Sequence, residues 1–342
     1  IGSLAASVFT ILVGSVSFSG SVVTFLKLQG LMTSRPVVFP GMKWLAILTA
    51  VASVALAVAV LPTRSTALVL LLAVFALLLG VLFVLPVGGA DVPIVISLLN
   101  AFTGLTVAAS GFVLDNVLLL IAGTLVGASG TLLTRLMATA MGRPITGTLF
   151  GALSGTSTLG GGVASDRPVK SLGPQDVAIQ LAYASKVIIV PGYGLAVAQA
   201  QGTLKELVDL LNERGIDVAY AIHPVAGRMP GHMNVLLAEA SVPYEQLKEM
   251  DEINPEFPST DVVLVVGAND VVNPAAREPG TPISGMPILN VDQAQSVVFL
   301  KRSMRPGFAG IENELLFDPK TQLLFGDAKD SLGKVVTALK AQ

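Results

Sequence analysis

Five long apolar stretches dominate the first 142 residues and constrain the fold more than any other feature. A helix needs about 20 mainly apolar residues to cross the hydrocarbon core of a bilayer, and each stretch is close to that length. They are Leu4 to Leu26, Trp44 to Leu61, Ala67 to Leu85, Val92 to Leu114 and Val117 to Met141. The sequence therefore predicts an α-helical membrane bundle with five transmembrane helices over residues 1–142.

The basic residues of this part predict its orientation in the membrane. If the five helices alternate in direction, only Arg64 lies on one side of the bilayer. The other side carries Lys27, Arg35, Lys43, Arg135 and Arg143. By the positive-inside rule, that side and everything after the fifth helix are cytoplasmic. The chain also begins with Ile1 directly in an apolar run, which predicts a fragment whose earlier helices are missing.

Residues 143–173 are rich in Gly, Ser and Thr, with three glycines at 160–162. They show neither an apolar period nor a buried face, so we predict a flexible linker. Such a linker would let the following domain, residues 174–342, move relative to the membrane. An inert tether is the alternative.

Residues 174–342 alternate short apolar strands with helices. The predicted strands are Val187 to Val190, Val218 to Ile222, Asp261 to Val266, Ile288 to Val291, Val297 to Leu300 and Gln322 to Phe325. Strands without polar alternation are buried on both faces, which predicts an α/β Rossmann-like, doubly wound parallel sheet. Thr203 and Glu206 have the spacing of a capping box for one helix, another helix is expected near Asn234 to Ala240, and Asp327 can cap the last.

The composition excludes several kinds of catalytic site. There is no cysteine, so disulfides, thiolate metal sites and cysteine nucleophiles are excluded. Only two histidines are present, His223 and His232, too few for a histidine metal cluster. No metal site is predicted.

A glycine-rich turn after the first predicted strand indicates dinucleotide binding. Gly192, Gly194 and the small Val197 have the spacing of the dinucleotide fingerprint, in which glycines permit a tight turn and a close pyrophosphate at a helix N-terminus. A merely structural strand–helix turn is the alternative.

The cofactor preference follows from two strand ends. The second strand is followed by His223 and not by the acid that holds an NAD ribose. Lys301, Arg302 and Ser303 follow a later strand and offer two charges and a hydroxyl to a 2′-phosphate. This pattern predicts NADP(H), although a solvated basic strand end would look the same.

Several long motifs together resemble a known family. They are Gly192–Gln201, His223–Asn234, Gly267–Pro274 and Lys301–Met304, with Ser284–Met286 and Gly326–Lys329. This combination is similar to the NADP(H)-binding domain of the beta subunit of proton-translocating NAD(P) transhydrogenases. The similarity covers essentially all of residues 175–342, and the membrane part resembles the last five helices of the same subunit.

The resemblance implies a cofactor site. NADP(H) would lie across the carboxyl ends of the strands, reversed from the usual Rossmann orientation. The implied contacts are Gly192, Tyr193, Gly194, Ala196, Val197, Val225, Ala226, Gly227, Arg228, Met229, Pro230, Gly231, Gly267, Ala268, Asn269, Asp270, Val271, Gly285, Met286, Lys301, Arg302, Ser303, Met304, Arg305, Pro306, Gly307, Phe308, Asp327 and Ala328. Phe308 stands where a tyrosine is common in the family, which keeps ring stacking but removes a hydroxyl bond.

The resemblance also implies the activity and the partners. Hydride would pass directly between NAD(H), bound on a partner domain, and NADP(H) on this chain, so no catalytic residue is needed. Asp270 would couple proton movement to cofactor affinity, with an Asx turn that fixes its loop as the alternative. The expected partners are a transhydrogenase alpha subunit with the NAD(H) domain and further membrane helices, the lipid bilayer of a bacterial inner membrane and a second copy of the assembly, and no nucleic acid.

A polar stripe interrupts the fourth apolar stretch. Asn100 and Thr103 are three residues apart on one helical face, and Ser97 and Thr106 extend it. Composition alone favours hydrogen bonding between helices, whereas the resemblance favours a proton path through Asn100 and Thr103. The alternative function is a membrane channel or transporter with a nucleotide-sensing Rossmann-like domain.

Overall fold

The computed structural model divides the chain into two compact units, residues 1–159 and 160–342. It describes residues 2–33, 36–88, 91–142, 167–227, 231–281, 283–307 and 309–342.

The described residues of the first unit form five long helices. They are α1 (Gly2–Leu28), α2 (Met42–Thr63), α3 (Thr66–Val84), α4 (Val92–Val113) and α5 (Val117–Ala140). Each is long and apolar enough to cross a membrane. The predicted membrane bundle is therefore confirmed, with helix ends within a few residues of those expected.

Helices α4 and α5 are in backbone contact. A Cβ atom added to Gly104 would overlap the backbone of Gly127, and one added to Gly123 would overlap the backbone of Ala108. Small residues at such positions let two helices approach closely where lipid provides no hydrophobic driving force. The glycines of the fifth apolar stretch therefore form a packing face.

The last turn of α1 caps another helix. Lys27 is buried, and its Nζ donates hydrogen bonds to the carbonyl oxygens of Val84 at 3.1 Å, Leu85 at 2.7 Å and Val87 at 2.7 Å. The last carbonyls of an α-helix have no partner within the helix, and a cation is favourable there. Lys27, which was counted as a loop charge in predicting the topology, is therefore an internal cap of α3.

The second unit is built on one six-stranded sheet. Its strands are β1 (Lys186–Pro191), β2 (Asp217–Ile222), β3 (Leu247–Glu249), β4 (Val262–Val266), β5 (Ser296–Lys301) and β6 (Thr321–Phe325). All neighbours pair in parallel, in the order β3-β2-β1-β4-β5-β6. The direction of winding reverses between β1 and β4. The predicted doubly wound parallel sheet is confirmed.

The two faces of the sheet are covered differently. The helices are α6 (Pro174–Ala182), α7 (Tyr193–Val197), α8 (Gln201–Glu213), α9 (His232–Glu239), α10 (Met250–Ile253) and α11 (Ala328–Lys340). Helices α6, α8, α9 and α11 pack side chains such as Leu181, Leu207 and Leu332 on one face. The opposite face is covered mainly by short segments that contribute Phe257, Leu289 and Leu316. Long connections on this second face leave loops free to build the carboxyl edge of the sheet.

Two local predictions are wrong. The predicted strand Ile288 to Val291 does not form, because its backbone is bonded to two 3-10 helices and not to a strand: the amide of Leu289 donates to the Val271 carbonyl and that of Asn290 donates to the Asn254 side chain. The proposed capping box also fails. Helix α8 begins at Gln201, which places Thr203 inside the helix.

Candidate functional site

The predicted site residues gather at one edge of the second unit. Parallel strands end at the same edge, where open α/β sheets bind ligands. Loops at the ends of β1, β2, β4, β5 and β6 contain nearly all of the described residues named above, and Gly285 and Met286 lie in the connection between β4 and β5. Arg228, Met229, Pro230 and Phe308 lie outside the described residues.

Glycines join the loops after β1 and β4. The amide of Gly194 donates to the carbonyl of Gly267 at 2.9 Å, and Gly267 has a positive φ of 74°. A Cβ on Gly192 would overlap the backbone of Ala268, and one on Gly267 would overlap that of Leu195. The absence of a side chain at the fingerprint glycines is therefore required by the fold. It lets the ends of β1 and β4 make backbone contact, at the place where the winding of the sheet reverses.

The loop after β2 is held against the loop after β1. Gly227 has a φ of 106°, and a Cβ there would overlap the imidazole of His232. The His232 ring lies 6.1 Å from the Tyr193 ring, centroid to centroid. Tyr193 is 37% exposed, so an aromatic face remains accessible at the edge. Tyr193 and residues 225–227, which are among the contacts that the resemblance implies, therefore belong to neighbouring loops at this edge.

His223 directly follows β2 as a neutral, buried group. Its Nδ1 accepts from the amide of Val225 at 3.2 Å, so its Nε2 carries the proton and donates to the carbonyl of Pro287 at 2.8 Å. Burial lowers the pKa of His223 to about 4, against a smaller opposing effect of that carbonyl bond. His223 therefore ties the end of β2 to the segment that follows Met286.

A charged network joins β5 to the loop after β4. Lys301 Nζ donates to Asn269 Oδ1 at 3.0 Å, and Asn269 Nδ2 donates to Asp270 Oδ1 at 2.9 Å. The other carboxylate oxygen of Asp270 accepts from the amide of Ala309 at 2.9 Å. Burial lowers the pKa of Lys301, while the nearby Asp270 opposes this shift. Asp270 thus holds its own loop to the loop after β5.

The remaining predicted residues differ in exposure. Arg302, Ser303 and Arg305 are exposed at the end of β5, with side chains accessible to a ligand. Asp327 accepts from the amide of Lys329 at 2.9 Å and caps α11, as predicted. Its carboxylate is therefore already engaged by a helix N-terminus.

Two buried asparagines that the sequence did not single out organise the same edge. Asn273 Nδ2 donates to the carbonyl of Glu312 at 2.9 Å, and Asn313 Nδ2 donates to the carbonyl of Asn269 at 3.0 Å. Each also caps a short helical turn with its Oδ1. The Asn-Pro dipeptide at Asn273 could have indicated a cap. Nothing local identifies Asn313, because its partner is 44 residues away.

The polar stripe of α4 divides between two neighbours. Thr103 shares a hydroxyl hydrogen bond of 2.7 Å with Ser17 of α1, which also donates to the Leu99 carbonyl. Ser97 donates to the Gly130 carbonyl of α5 at 3.3 Å. Asn100 is exposed on this five-helix unit. Ser17 joins the stripe as a residue that the sequence did not single out.

No group of three or more His, Asp or Glu side chains that could hold a metal is found among the residues that the structure describes. The edge of the second unit instead combines backbone-lined loops, an accessible aromatic ring and cations. These features suit a bound nucleotide whose own ring carries the chemistry.

Comparisons with known proteins give the family. The family model for the NAD(P) transhydrogenase beta subunit matches residues 1–338. Two relatives, both named NAD(P) transhydrogenase subunit beta, come from Rhodospirillum rubrum and from a strain of that species; each is 50% identical over 341 residues, which is 99% of this chain and 74% of the relative. Because the match runs through the membrane helices and the parallel-sheet unit alike, the chain belongs to the NAD(P) transhydrogenase beta subunit family.

Proposed function

We propose that this chain binds NADP(H) at the carboxyl edge of its sheet and exchanges hydride with NAD(H) held on a partner domain. In this proposal, proton movement through the membrane helices is coupled to the exchange. The observation that carries it is the charge pattern of the edge: Lys301 and Arg302 lie at the end of β5, while the neutral His223 directly follows β2. Membership of the family supports NAD(P) transhydrogenation as the overall reaction.

The charge pattern favours NADP(H) over NAD(H). An NAD site holds the ribose hydroxyls with an acid after the second strand, and here that position is a buried imidazole with both nitrogens engaged. A 2′-phosphate needs cations and gains most from a planar guanidinium. Arg302 is exposed at the edge and fits that role, and the partly buried Lys301 lies beside it.

The described residues position the cofactor and need not take part in the bond changes. Hydride transfer is the chemistry that the nicotinamide ring supplies when it is bound. The interlocked glycine loops fix the two strand ends, and Tyr193 offers a ring for stacking. The Lys301–Asn269–Asp270 network holds the loop that we propose to respond to protons.

The membrane part contributes a candidate proton path. Thr103 and Ser17 form a hydroxyl pair between α1 and α4, and Asn100 lies exposed one turn away. Polar groups in a membrane helix face other helices or water. We propose that Asn100 and Thr103 line the path together with a titratable group from a further helix. Lys27 is not part of this proposed path; its Nζ donates to three carbonyls and caps α3.

The partners follow from the same proposal. An alpha subunit would supply the NAD(H)-binding domain and further membrane helices, and the whole assembly would be a homodimer. The protein would be a multi-pass protein of the bacterial inner membrane with its NADP(H) unit in the cytoplasm. Arg135, exposed near the end of α5, agrees with that orientation.

Cofactor binding tests the proposal directly. The purified full chain is titrated with NADPH and with NADH, and binding is followed by nicotinamide fluorescence. A preference for NADPH of roughly hundredfold or more is expected, the effect of one charge-assisted phosphate site worth about 3 kcal/mol. Equal affinity for the two nucleotides contradicts the proposed cofactor assignment.

A further inference from the structure

Arg167 is the first described residue after the segment that joins the two units. Its guanidinium forms two parallel hydrogen bonds with the Glu314 carboxylate, Nη1 to Oε2 at 2.7 Å and Nη2 to Oε1 at 2.9 Å. The Glu312 carboxylate lies 3.6 Å away, and the guanidinium carbon is 3.9 Å from the centre of the Phe317 ring. One side chain is thus held by two acids and an aromatic face.

This geometry differs from an ordinary surface ion pair. Most exposed ion pairs contribute little because two flexible side chains must be ordered in high dielectric. A guanidinium that is both bidentate and stacked has a defined position. The hydrogen bond from Arg167 also lowers the pKa of the Glu314 carboxyl. The contact therefore fixes the position of the chain at residue 167 against the 312–317 segment.

Residue 167 lies just outside the anchored backbone. The amide of Leu172 donates to the Leu323 carbonyl at 2.9 Å, and that of Leu323 donates to the Lys170 carbonyl at 2.8 Å. These bonds attach residues 170–172 to β6. The Arg167 side chain adds a second attachment three residues earlier in the chain, to the 312–317 segment and not to β6.

The segment that Arg167 holds is bonded to the cofactor edge. Asn313, between the two glutamates, donates to the carbonyl of Asn269, and the carbonyl of Glu312 accepts from Asn273. Both asparagines are buried. The two bonds bracket residues 269–273, the loop that contains Asp270 and whose Asn269 accepts from Lys301.

We propose that Arg167 is a positioning residue for the loop formed by residues 269–273, the cofactor loop. The route runs from Arg167 to Glu314, through the backbone to Asn313 and then to Asn269 and Asp270. Every step is a hydrogen bond or a covalent link. A displacement of residue 167 therefore changes the position of Asn269, and with it the hold on NADP(H). This inference rests on the proposed function for its final step only.

The physical route is tested by amide hydrogen exchange in the nucleotide-free full chain. Arg167→Ala and Glu314→Gln are compared with Glu206→Gln. Glu206 is a matched control because it also forms a salt bridge, with Lys340, and its side chain is 49% exposed against 51% for Glu314. Exchange in residues 267–273 should rise about threefold or more in the first two variants and stay unchanged in the control. Loop exchange that is the same in all three variants overturns the inference.

The functional consequence is tested by NADPH release from the full chain. Each of Arg167→Ala and Glu314→Gln should speed release by about threefold or more, and the double variant should be no faster than the faster single variant, because both remove one interaction. Release rates that multiply in the double variant, or that match those of Glu206→Gln, contradict the inference. If the wild type shows no preference for NADPH, the proposed function fails, whereas the exchange measurement still decides the route from Arg167.

Discussion

Arg302 is the side chain on which cofactor selection depends most clearly. It is exposed at the end of β5, where a guanidinium can form a bidentate pair with a phosphate. Arg302→Ala is expected to weaken NADP(H) binding by about 2–4 kcal/mol and to leave NAD(H) binding nearly unchanged. Nucleotide titrations of the full chain measure both. Lys340→Ala, in the last turn of α11, is the control, and an equal loss for both nucleotides would show that Arg302 does not contact the 2′-phosphate.

His223 gives the second unit a pH dependence whose sign follows from its pKa. The imidazole is neutral when folded, with a pKa lowered to about 4, whereas an unfolded histidine titrates near 6.5. The unfolded chain therefore binds more protons between these values. The neutral His223 therefore contributes to the free energy of unfolding fully above pH 6.5. This contribution, about 3 kcal/mol, is lost as the pH falls toward 4. Urea unfolding at several pH values should show this slope, and His223→Gln should reduce it.

The sequence indicates a residue of the edge when that residue belongs to a local motif. It does not indicate a residue whose partners are distant in the sequence. The sequence indicated Gly192, Gly194 and Lys301, since each follows a strand that is visible in the apolar pattern. Asn313 was missed because nothing near it in the sequence indicates Asn269 as its partner. Arg167 was missed for the same reason, since its acids are almost 150 residues away.

At the scale of elements, the glycine contact between α4 and α5 makes a definite packing prediction. Gly123→Ala places a methyl group against the backbone of Ala108, whereas a Cβ on Gly14 has its nearest neighbour, in Thr106, at 3.8 Å. Gly123→Ala should therefore lower the thermal midpoint in detergent, because overpacking typically costs about 1–3 kcal/mol. Gly14→Ala is the control. Equal midpoints for the two variants would contradict the contact.

The polar stripe on α4 gives a prediction about coupling. Asn100→Leu keeps the branched heavy-atom shape of the side chain but removes the amide that could bond a water or a proton carrier. Proton-linked transhydrogenation should fall more than uncoupled hydride exchange in the reconstituted enzyme. If Asn100 only bonds to another helix, its loss should lower stability by roughly 0.6–2 kcal/mol. Lower melting with an unchanged ratio of pumping to exchange would remove Asn100 from the path.

Elements were predictable where one periodic signal was long and undisturbed. The five membrane helices and strands β1, β2, β4, β5 and β6 have continuous apolar runs. Edge strand β3 was missed because it is three residues long and contains Lys248 and Glu249. The segment Ile288 to Val291 is mainly apolar like a strand but bonds to two 3-10 helices, which an apolar pattern does not distinguish from sheet pairing.

At the scale of the whole molecule, the second unit should fold and bind NADP(H) when separated from the helices. Its boundary can be tested with two fragments that begin at residue 168, which leaves out Arg167, and at residue 173. The longer fragment keeps the two backbone bonds between residues 170–172 and Leu323. It should be more stable by about 1–3 kcal/mol, the net value of two hydrogen bonds. Urea unfolding of both fragments measures this difference, and identical midpoints would mean that these bonds add nothing.

The backbone contact between α4 and α5 also has a mechanical consequence. Two helices that touch backbone to backbone cannot slide past one another without separating, so they tilt together. Helix α5 has 24 residues, which corresponds to roughly 36 Å of rigid length. A small change in the tilt of the pair would therefore produce, at the far end of that length, a lateral displacement of Ala140. The end of α5 at Ala140 is connected through the chain to Arg167, so such a displacement acts on the segment between them.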